Sequence, residues 1–278
     1  MSLQIPEPKI LVGAAAEQLS KLIKEKTGIV ISESNFNALQ KKLCSRIASL
    51  NITEFSDYLR LLKDGSSGEM NFLLNSSTIN FTSFMREKEH FHILTDKILP
   101  DILQKNMARK KLRIWSAACS SGEEAYTLAI VLKEALEATP GWDIKIIATD
   151  LDTDVLSFAD KGIYHKKRIE TFNPIRQKKW FEEMSDDSGN VRVKKEIRDM
   201  VEFRQVNLVD NWRLFDKMDL IFCRNVMIYF DADTRKTLIN KFVEQLTPKG
   251  WLVVSRTESI YGVTDSLESF GDSVYQRK

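Results

Sequence analysis

Met218-Asp219-Leu220-Ile221-Phe222 is an apolar run that reads as a buried strand, and it leads directly into Cys223-Arg224-Asn225-Val226-Met227-Ile228-Tyr229-Phe230. Arg224, Asn225 and Tyr229 carry polar groups that need partners when buried. Clustered at a strand end, they mark a ligand edge, because ligands of open α/β sheets sit outside the carboxyl ends of strands. A second such edge is Trp115-Ser116-Ala117-Ala118-Cys119-Ser120-Ser121-Gly122-Glu123-Glu124. Its small residues, Ala117 among them, let a ligand approach the backbone. Gly122 opens a helix, and Glu123 and Glu124 fall in its first turn, where the dipole favours carboxylates. The chain has no Gly-x-Gly-x-x-Gly and no Walker Gly-Lys-Ser/Thr, and two acids beside the loop would repel a pyrophosphate. The chemistry suits a cationic or hydroxyl-rich ligand. Asp150 ends the next strand, where an acid commonly accepts from ribose hydroxyls. Asn207-Leu208 follow the strand-like Val201–Val206, and Asn207 offers the donor and acceptor that match an adenine edge. Asn80-Phe81-Thr82-Ser83-Phe84-Met85-Arg86-Glu87 lies at a junction between two differently patterned regions, a frequent ligand location.

Each feature also has a plain structural reading. Gly122 to Glu124 can be a capped helix start. Thr82 or Ser83 can cap the following helix. Arg224 can pair with Asp219 or Asp231.

The elements that must position these residues follow from periodicity. To about Thr78 the chain reads as helical: Leu19, Leu22 and Ile23 share one face, and Phe36, Leu39, Leu43 and Ile47 another. Thr53-Glu54-Phe55-Ser56-Asp57-Tyr58 opens another helix with Thr53 as a candidate cap, Asp64-Gly65-Ser66-Ser67-Gly68 is a break, and a helix over Glu69–Asn75 follows. After Lys110 the pattern becomes β-α-β. Strands are expected at 112–117, 143–150, 218–223 and 251–255, and helices at 122–138, from 153, and at 231–246, which argues for a parallel sheet covered by helices. Pro248-Lys249-Gly250 makes the last helix–strand turn, and 273–277 reads as a final edge strand. The charged stretch from about Gly162 to Glu202 breaks the alternation. Its turn signal Ser185–Asn190 and the alternating Val191-Arg192-Val193-Lys194 indicate an inserted small antiparallel sheet.

A length of 278 residues, 43% of them hydrophobic, suffices for one medium domain plus a small one. A net charge of +2 argues against a dedicated nucleic-acid binder. Cys44, Cys119 and Cys223 are far apart and read as reduced thiols. His90, His92 and His165 lack metal-ligand spacing, so no metal is expected. No apolar run nears the ~20 residues that span a membrane, so direct membrane insertion is not expected. Met1–Pro8 lacks the features of a signal peptide, and the expected location is the cytoplasm.

The five motifs in order, Asn80–Glu87, Trp115–Glu124, Thr149-Asp150-Leu151-Asp152, Asn207-Leu208 and Cys223–Phe230, resemble those of the CheR-type chemotaxis receptor glutamate O-methyltransferases. The resemblance covers nearly the whole chain, and Cys223–Phe230 is its most specific piece. It implies an all-α N-terminal domain over 1–78, a linker and first catalytic helix over 79–110, and a Rossmann-like class I methyltransferase domain over 111–278 with a β-subdomain inserted at about 162–202. It implies S-adenosyl-L-methionine as cofactor, S-adenosyl-L-homocysteine as product, and glutamates on chemoreceptor cytoplasmic helices as acceptors. It further implies that Asn80, Thr82, Arg86, Ala117, Glu123, Asp150, Asn207, Leu208, Arg224 and Asn225 line the cofactor site, with Arg86 and Tyr229 near the methyl group.

The local chemistry agrees. A glutamate carboxylate, with a reference pKa of about 4.3, is ionised at neutral pH and needs no general base. Alignment is then the main requirement, with Arg86 holding the acceptor and Tyr229 orienting it. Lys41, Lys42 and Arg46 form a candidate basic docking face for acidic receptor helices. Two departures stand out. Relatives often carry Phe-Phe where this chain has Phe84-Met85, and Gly-His-Ser-Glu where it has Ser255-Arg256-Thr257-Glu258. Two readings compete with this one. Methylation of a nucleic acid or small molecule is disfavoured because Asn225 is followed by Val226-Met227 and no Asp/Asn-Pro-Pro-Tyr motif occurs. A cofactor-binding sensor without turnover is disfavoured by the intact Arg86, Asp150 and Tyr229.

Overall fold

Among the described residues the N-terminal periodicity is realised as four helices: α1 (Ala14–Thr27), α2 (Glu33–Ser49), α3 (Phe55–Lys63) and α4 (Ser67–Ser77). The computed structural model describes residues 13–278 apart from 66, 186–187, 213–215 and 261. The leader expectation on Met1–Pro8, Ser66 of the Gly65 break and the Asp186-Asp187 step of the subdomain turn lie outside the described residues. Leu19 and Ile23 of α1, Leu39 and Leu43 of α2, and Tyr58, Leu62 and Leu73 from α3 and α4 make one buried cluster, the expected helical stripes. Gly28 ends α1 at φ 73°, a left-handed cap that favours glycine. Thr53 is not the cap of α3; Glu54 holds that position and makes no side-chain cap bond.

The chain divides into two units, one through Ile79 joined by Tyr229–Thr234, the other Asn80–Ile228 with Arg235–Lys278. Within the first, Val30 N–H donates to the Tyr229 carbonyl (2.8 Å), and Lys24 pairs with Asp231 (2.8 Å). Ile29 and Phe230 form an isolated bridge, so a short β contact occurs where only helix was expected.

The second unit begins with α5 (Lys88–Ile93), which continues through a π-turn at Leu94–Ile98 into α6 (Leu99–Asn106). Thr82 and Ser83 therefore do not cap the next helix, since Glu87 occupies the position before it. Then follow β1 (Lys111–Ala117), α7 (Glu123–Ala135), β2 (Asp143–Asp150), α8 (Thr153–Lys161), β3 (Ile163–His165), α9 (Pro174–Trp180), β4 (Phe181–Glu183), β5 (Asn190–Val193), α10 (Lys195–Arg198), β6 (Val201–Gln205), β7 (Met218–Cys223), α11 (Ala232–Gln245), β8 (Leu246–Val254), β9 (Leu267–Ser269) and β10 (Val274–Arg277). The main sheet has the order β6-β2-β1-β7-β8-β10-β9, and its first five strands are parallel. The small sheet, β3-β5-β4, is antiparallel and is the expected insertion. The insertion ends before Val201, because β6 pairs with β2 in the main sheet. β10 is not an edge strand. It pairs with β8 on one side and β9 on the other, and β9, at three residues, is too short to show alternation.

Ile114, Trp115, Leu220, Ile221, Phe222, Leu252 and Val253 are buried, as strands covered on both faces require. This rigid sheet brings β1 and β7 side by side, with Ala117 opposite Cys223 on one side and Thr149 of β2 on the other. Strand order reverses between β1 and β7, the topological switch point at which such sheets bind ligands.

Candidate functional site

Four of the five motifs converge at this switch point, and the hub is Arg224. It is 5% exposed. One guanidinium nitrogen donates to Glu124 Oε2 (3.3 Å), the other to the Arg86 carbonyl (2.6 Å), with Glu87 at 3.6 Å. It pairs with neither Asp219, which meets Arg109, nor Asp231, which meets Lys24. A buried guanidinium between two carboxylates is compensated charge, and it links β7, the head of α7 and the 80–87 segment. Its Nε is buried without a partner, an orphaned donor of the kind that bound ligands satisfy.

Asn225 is held by its own backbone and side chain. Its φ is 61°. Its amide donates to Glu258 Oε2 (2.8 Å) and its side-chain nitrogen to Ser255 Oγ (2.8 Å) and Glu87 Oε1 (3.3 Å). Glu258 also accepts from Met227 (2.7 Å), Ile228 (3.3 Å) and Ser255 (3.0 Å) amides, so one carboxylate closes the whole turn. Burial raises the Glu258 pKa, and the four amides act against that rise. Thus the Ser255–Glu258 loop supplies the anchor of the Arg224-Asn225 turn. Glu87 and Glu258 are site residues that the sequence pattern does not mark: Glu258 acts through backbone amides, and Glu87 through side chains more than 130 residues away, Arg224, Asn225 and Ser255.

The β1–α7 loop is similarly constrained. Ala118 and Ser120 have φ of 60° and 51°, and Gly122 has 92°. With Met85 (56°), Glu87 (52°) and Asn225, five non-glycine residues in strained left-handed backbone fall in the three motifs, as is typical of ligand sites. Asp150 Oδ2 accepts from the Ser120 amide (2.8 Å) and Oδ1 from the Asp152 amide (3.0 Å). Its pKa is raised by burial. Asn80 joins this group, donating to Asp152 (2.6 Å) while its carbonyl accepts from Ser120 Oγ (3.1 Å).

The two neighbouring glutamates diverge. Glu124 accepts from Ser116 Oγ (2.7 Å) and meets Arg224. Glu123, fully buried, meets Ser121 Oγ (2.7 Å) and Arg168 instead. Successive helix positions point about 100° apart, a consequence of 3.6 residues per turn, so only one of the pair faces β7. Burial raises the pKa of both. Arg86 is half-buried. Its Nη1 donates to the Phe81 carbonyl (2.6 Å) and its guanidinium lies 5.5 Å over the exposed Phe81 ring. Thr82 is half-buried, and Ala117 is buried at the end of β1. After β6, Asn207 Oδ1 accepts from Val209 (3.4 Å), and the Leu208 carbonyl accepts from Trp212 (2.9 Å). Tyr229 belongs to the helical unit, where its carbonyl bonds Val30.

Of the docking candidates, Lys41 and Lys42 are exposed on α2. Arg46 is committed elsewhere. Its guanidinium pairs with the buried Glu69 (Nε–Oε1 3.1 Å) and lies 5.3 Å over Phe72.

This donor set fits S-adenosylmethionine. Buried carboxylates at the ends of β1 and β2 match a sulfonium, an amino group and ribose hydroxyls, and none of the loops is a phosphate cradle. The family models agree. Residues 80–275 match the CheR methyltransferase SAM-binding domain, and residues 14–78 its all-alpha domain. The chain is 36% identical over 262 residues to chemotaxis protein methyltransferase 2 of Pseudomonas aeruginosa, covering 93% of this chain and 91% of that one. It is 37% identical to the chemotaxis protein methyltransferase of Borreliella burgdorferi, with 96% of each covered. With that of Escherichia coli it shares 35%, over 98% of this chain and 94% of that one. A strand-end site built for a cationic cofactor, on a chain matched by both domain models, places this protein in the CheR methyltransferase family as an S-adenosylmethionine-dependent methyltransferase of chemotaxis.

Proposed function

We propose that the methyl acceptors are glutamate side chains on the cytoplasmic helices of bacterial chemoreceptors, and that the products are glutamyl methyl esters formed in the cytoplasm. The observation that carries this reading is the anchored Arg224-Asn225 turn, tied to Glu124 and Glu87 beside the end of β1. It supplies buried charge and hydrogen-bond donors, and an acceptor already ionised at neutral pH needs no general base.

When bound, S-adenosylmethionine supplies an electrophilic methyl group. The chain's own residues bind and orient. Asn80, Thr82, Ala117, Asp150, Asn207, Leu208, Arg224 and Asn225 form the cofactor set, with Asp150 toward the ribose and Asn207 toward the adenine. Glu124, which meets Arg224 and Ser116, joins this set. Arg86 holds the acceptor carboxylate. One arm of its fork is fixed on the Phe81 carbonyl, which pre-orients the remainder for a bidentate anion contact. Tyr229 has an orienting role toward the acceptor. Lys41 and Lys42 steer acidic receptor helices, without Arg46.

The test is transfer of labelled methyl from S-adenosylmethionine to a chemoreceptor cytoplasmic fragment. The expected product is base-labile label that falls at least tenfold in Arg86→Ala and in Tyr229→Phe, the usual scale for loss of one positioning contact. Near-normal transfer by both variants would refute their roles.

A further inference from the structure

The inserted subdomain reaches back onto the cofactor loop. Arg168, in the short helical turn after β3, places its guanidinium 2.5 Å from Glu123 Oε1 and 3.4 Å from Ser121 Oγ. The Oε1 contact is an ion pair without an aligned hydrogen bond, since Oε1 has no such partner. Tyr164 of β3 donates its hydroxyl to the Ser121 carbonyl (2.7 Å). The loop is pressed against these groups. A Cβ on Gly122 would stand 2.8 Å from Ala159 Cβ and 3.0 Å from the Tyr164 hydroxyl. Arg168 itself lies 5.8 Å from the Phe158 and Tyr164 ring centroids, on the α8–β3 side.

We infer that Arg168 is a positioning residue for the cofactor: from the inserted subdomain it holds the Glu123 carboxylate and, through it, the Ser120–Glu124 loop in the shape that receives S-adenosylmethionine. Glu123 is 0% exposed and makes one aligned side-chain hydrogen bond, from Ser121. Among the described residues, Arg168 is the cation within ion-pair distance of it. Removing that cation leaves a buried carboxylate without its counter-charge, a strongly unfavourable state. The loop also carries left-handed backbone at Ser120 and Gly122, which persists only while its surroundings over-determine it. Loosening Glu123 therefore releases the neighbouring Ser120 amide from Asp150 and the adjacent Glu124 from Arg224.

The inference rests on the cofactor reading of this loop, and the experiment separates the two. Binding of S-adenosylhomocysteine to the full-length chain is measured by calorimetry for wild type, Arg168→Met, Arg168→Lys and the double variant Glu123→Gln/Arg168→Met. Arg168→Met is expected to weaken binding about tenfold, the factor that corresponds to ~1.4 kcal/mol. Arg168→Lys, which keeps the counter-charge of Glu123 but not the planar fork, should lose clearly less affinity than Arg168→Met. The double variant should recover most of the loss, because no unpaired charge remains. In methyl transfer, Arg168→Met should raise KM for S-adenosylmethionine and leave kcat at saturating cofactor. Arg168→Met binding as tightly as wild type, or a double variant no tighter than Arg168→Met, overturns the inference. A wild-type chain that does not bind S-adenosylhomocysteine overturns the cofactor reading beneath it.

Discussion

Glu258→Gln is the most direct probe of how the site is held. The Glu258 carboxylate is 3% exposed and accepts from four backbone amides, Met227 and Ile228 at Oε1, Asn225 and Ser255 at Oε2. A glutamine keeps one oxygen, so it can still serve two of them. Its NH2 then faces the other two donors, which lose their acceptor. Hydrogen bonds to a charged group contribute about 1.5–3 kcal/mol each, so the loss is roughly 3 kcal/mol at the low end. For a unit of this size 1 kcal/mol corresponds to about 2–4 °C in Tm, so the shift should be roughly 6–12 °C. Because Asn225 at φ 61° is held by this anchor, affinity for S-adenosylhomocysteine should fall at least tenfold even below the melting transition. The assays are thermal and urea unfolding followed by far-ultraviolet circular dichroism, with calorimetric titration at 15 °C. A variant within about 0.5 kcal/mol of wild type, the range of ordinary surface changes, with unchanged affinity would refute the reasoning.

Acid should destabilise the chain through His90 and Glu87. Burial, then repulsion from Arg224, lowers the His90 pKa, while its ring nitrogen donates to the Asp272 carbonyl (3.0 Å) and faces Glu87 and Arg256. Burial alone would raise Glu87, but Arg224, Ser255, His90 and Asn225 outweigh it and hold it low. Both folded-state pKa values lie below the unfolded ones, so the unfolded chain takes up protons first and stability falls with pH. The loss begins below about 6.5 for His90 and below about 4.5 for Glu87. Urea midpoints between pH 7.5 and 5.5 should therefore drop in wild type and flatten in His90→Gln, whose amide can still donate to Asp272; equal slopes would exclude His90 as the cause. Reversal of charge in Lys41→Glu/Lys42→Glu should raise KM for receptor about tenfold, most at low salt, with S-adenosylhomocysteine affinity unchanged; an unaltered KM would discard the docking face.

Much of the sheet was legible because its strands are local apolar runs bounded by breakers. The runs 143–150 and 218–223 were read to the residue. The short elements were not. β9 has three residues and β4 three, below the length at which alternation is distinguishable from chance. Thr53 is not the cap because the first helical residue is Phe55, one later than that cap requires, which leaves Glu54 in the capping position.

The site divides along the same line. Residue types and their place after strands determined that Asp150, Arg224 and Asn225 stand at one sheet edge and that the ligand is cationic and hydroxyl-bearing. Those inferences need only strand ends and side-chain chemistry. The tertiary structure decided which partners each residue takes. Arg224 meets Glu124 across 100 residues, Ser255 meets Glu87 across 168, and Glu258 closes a turn 33 residues upstream. It also decided that Glu124 faces Arg224 while Glu123 faces Arg168, and that Arg46 is occupied by Glu69. The physical reason is that an ion pair depends on helix phase and sheet register, and both are set by burial of the whole core. The chemistry of a side chain is local, but its partner is not.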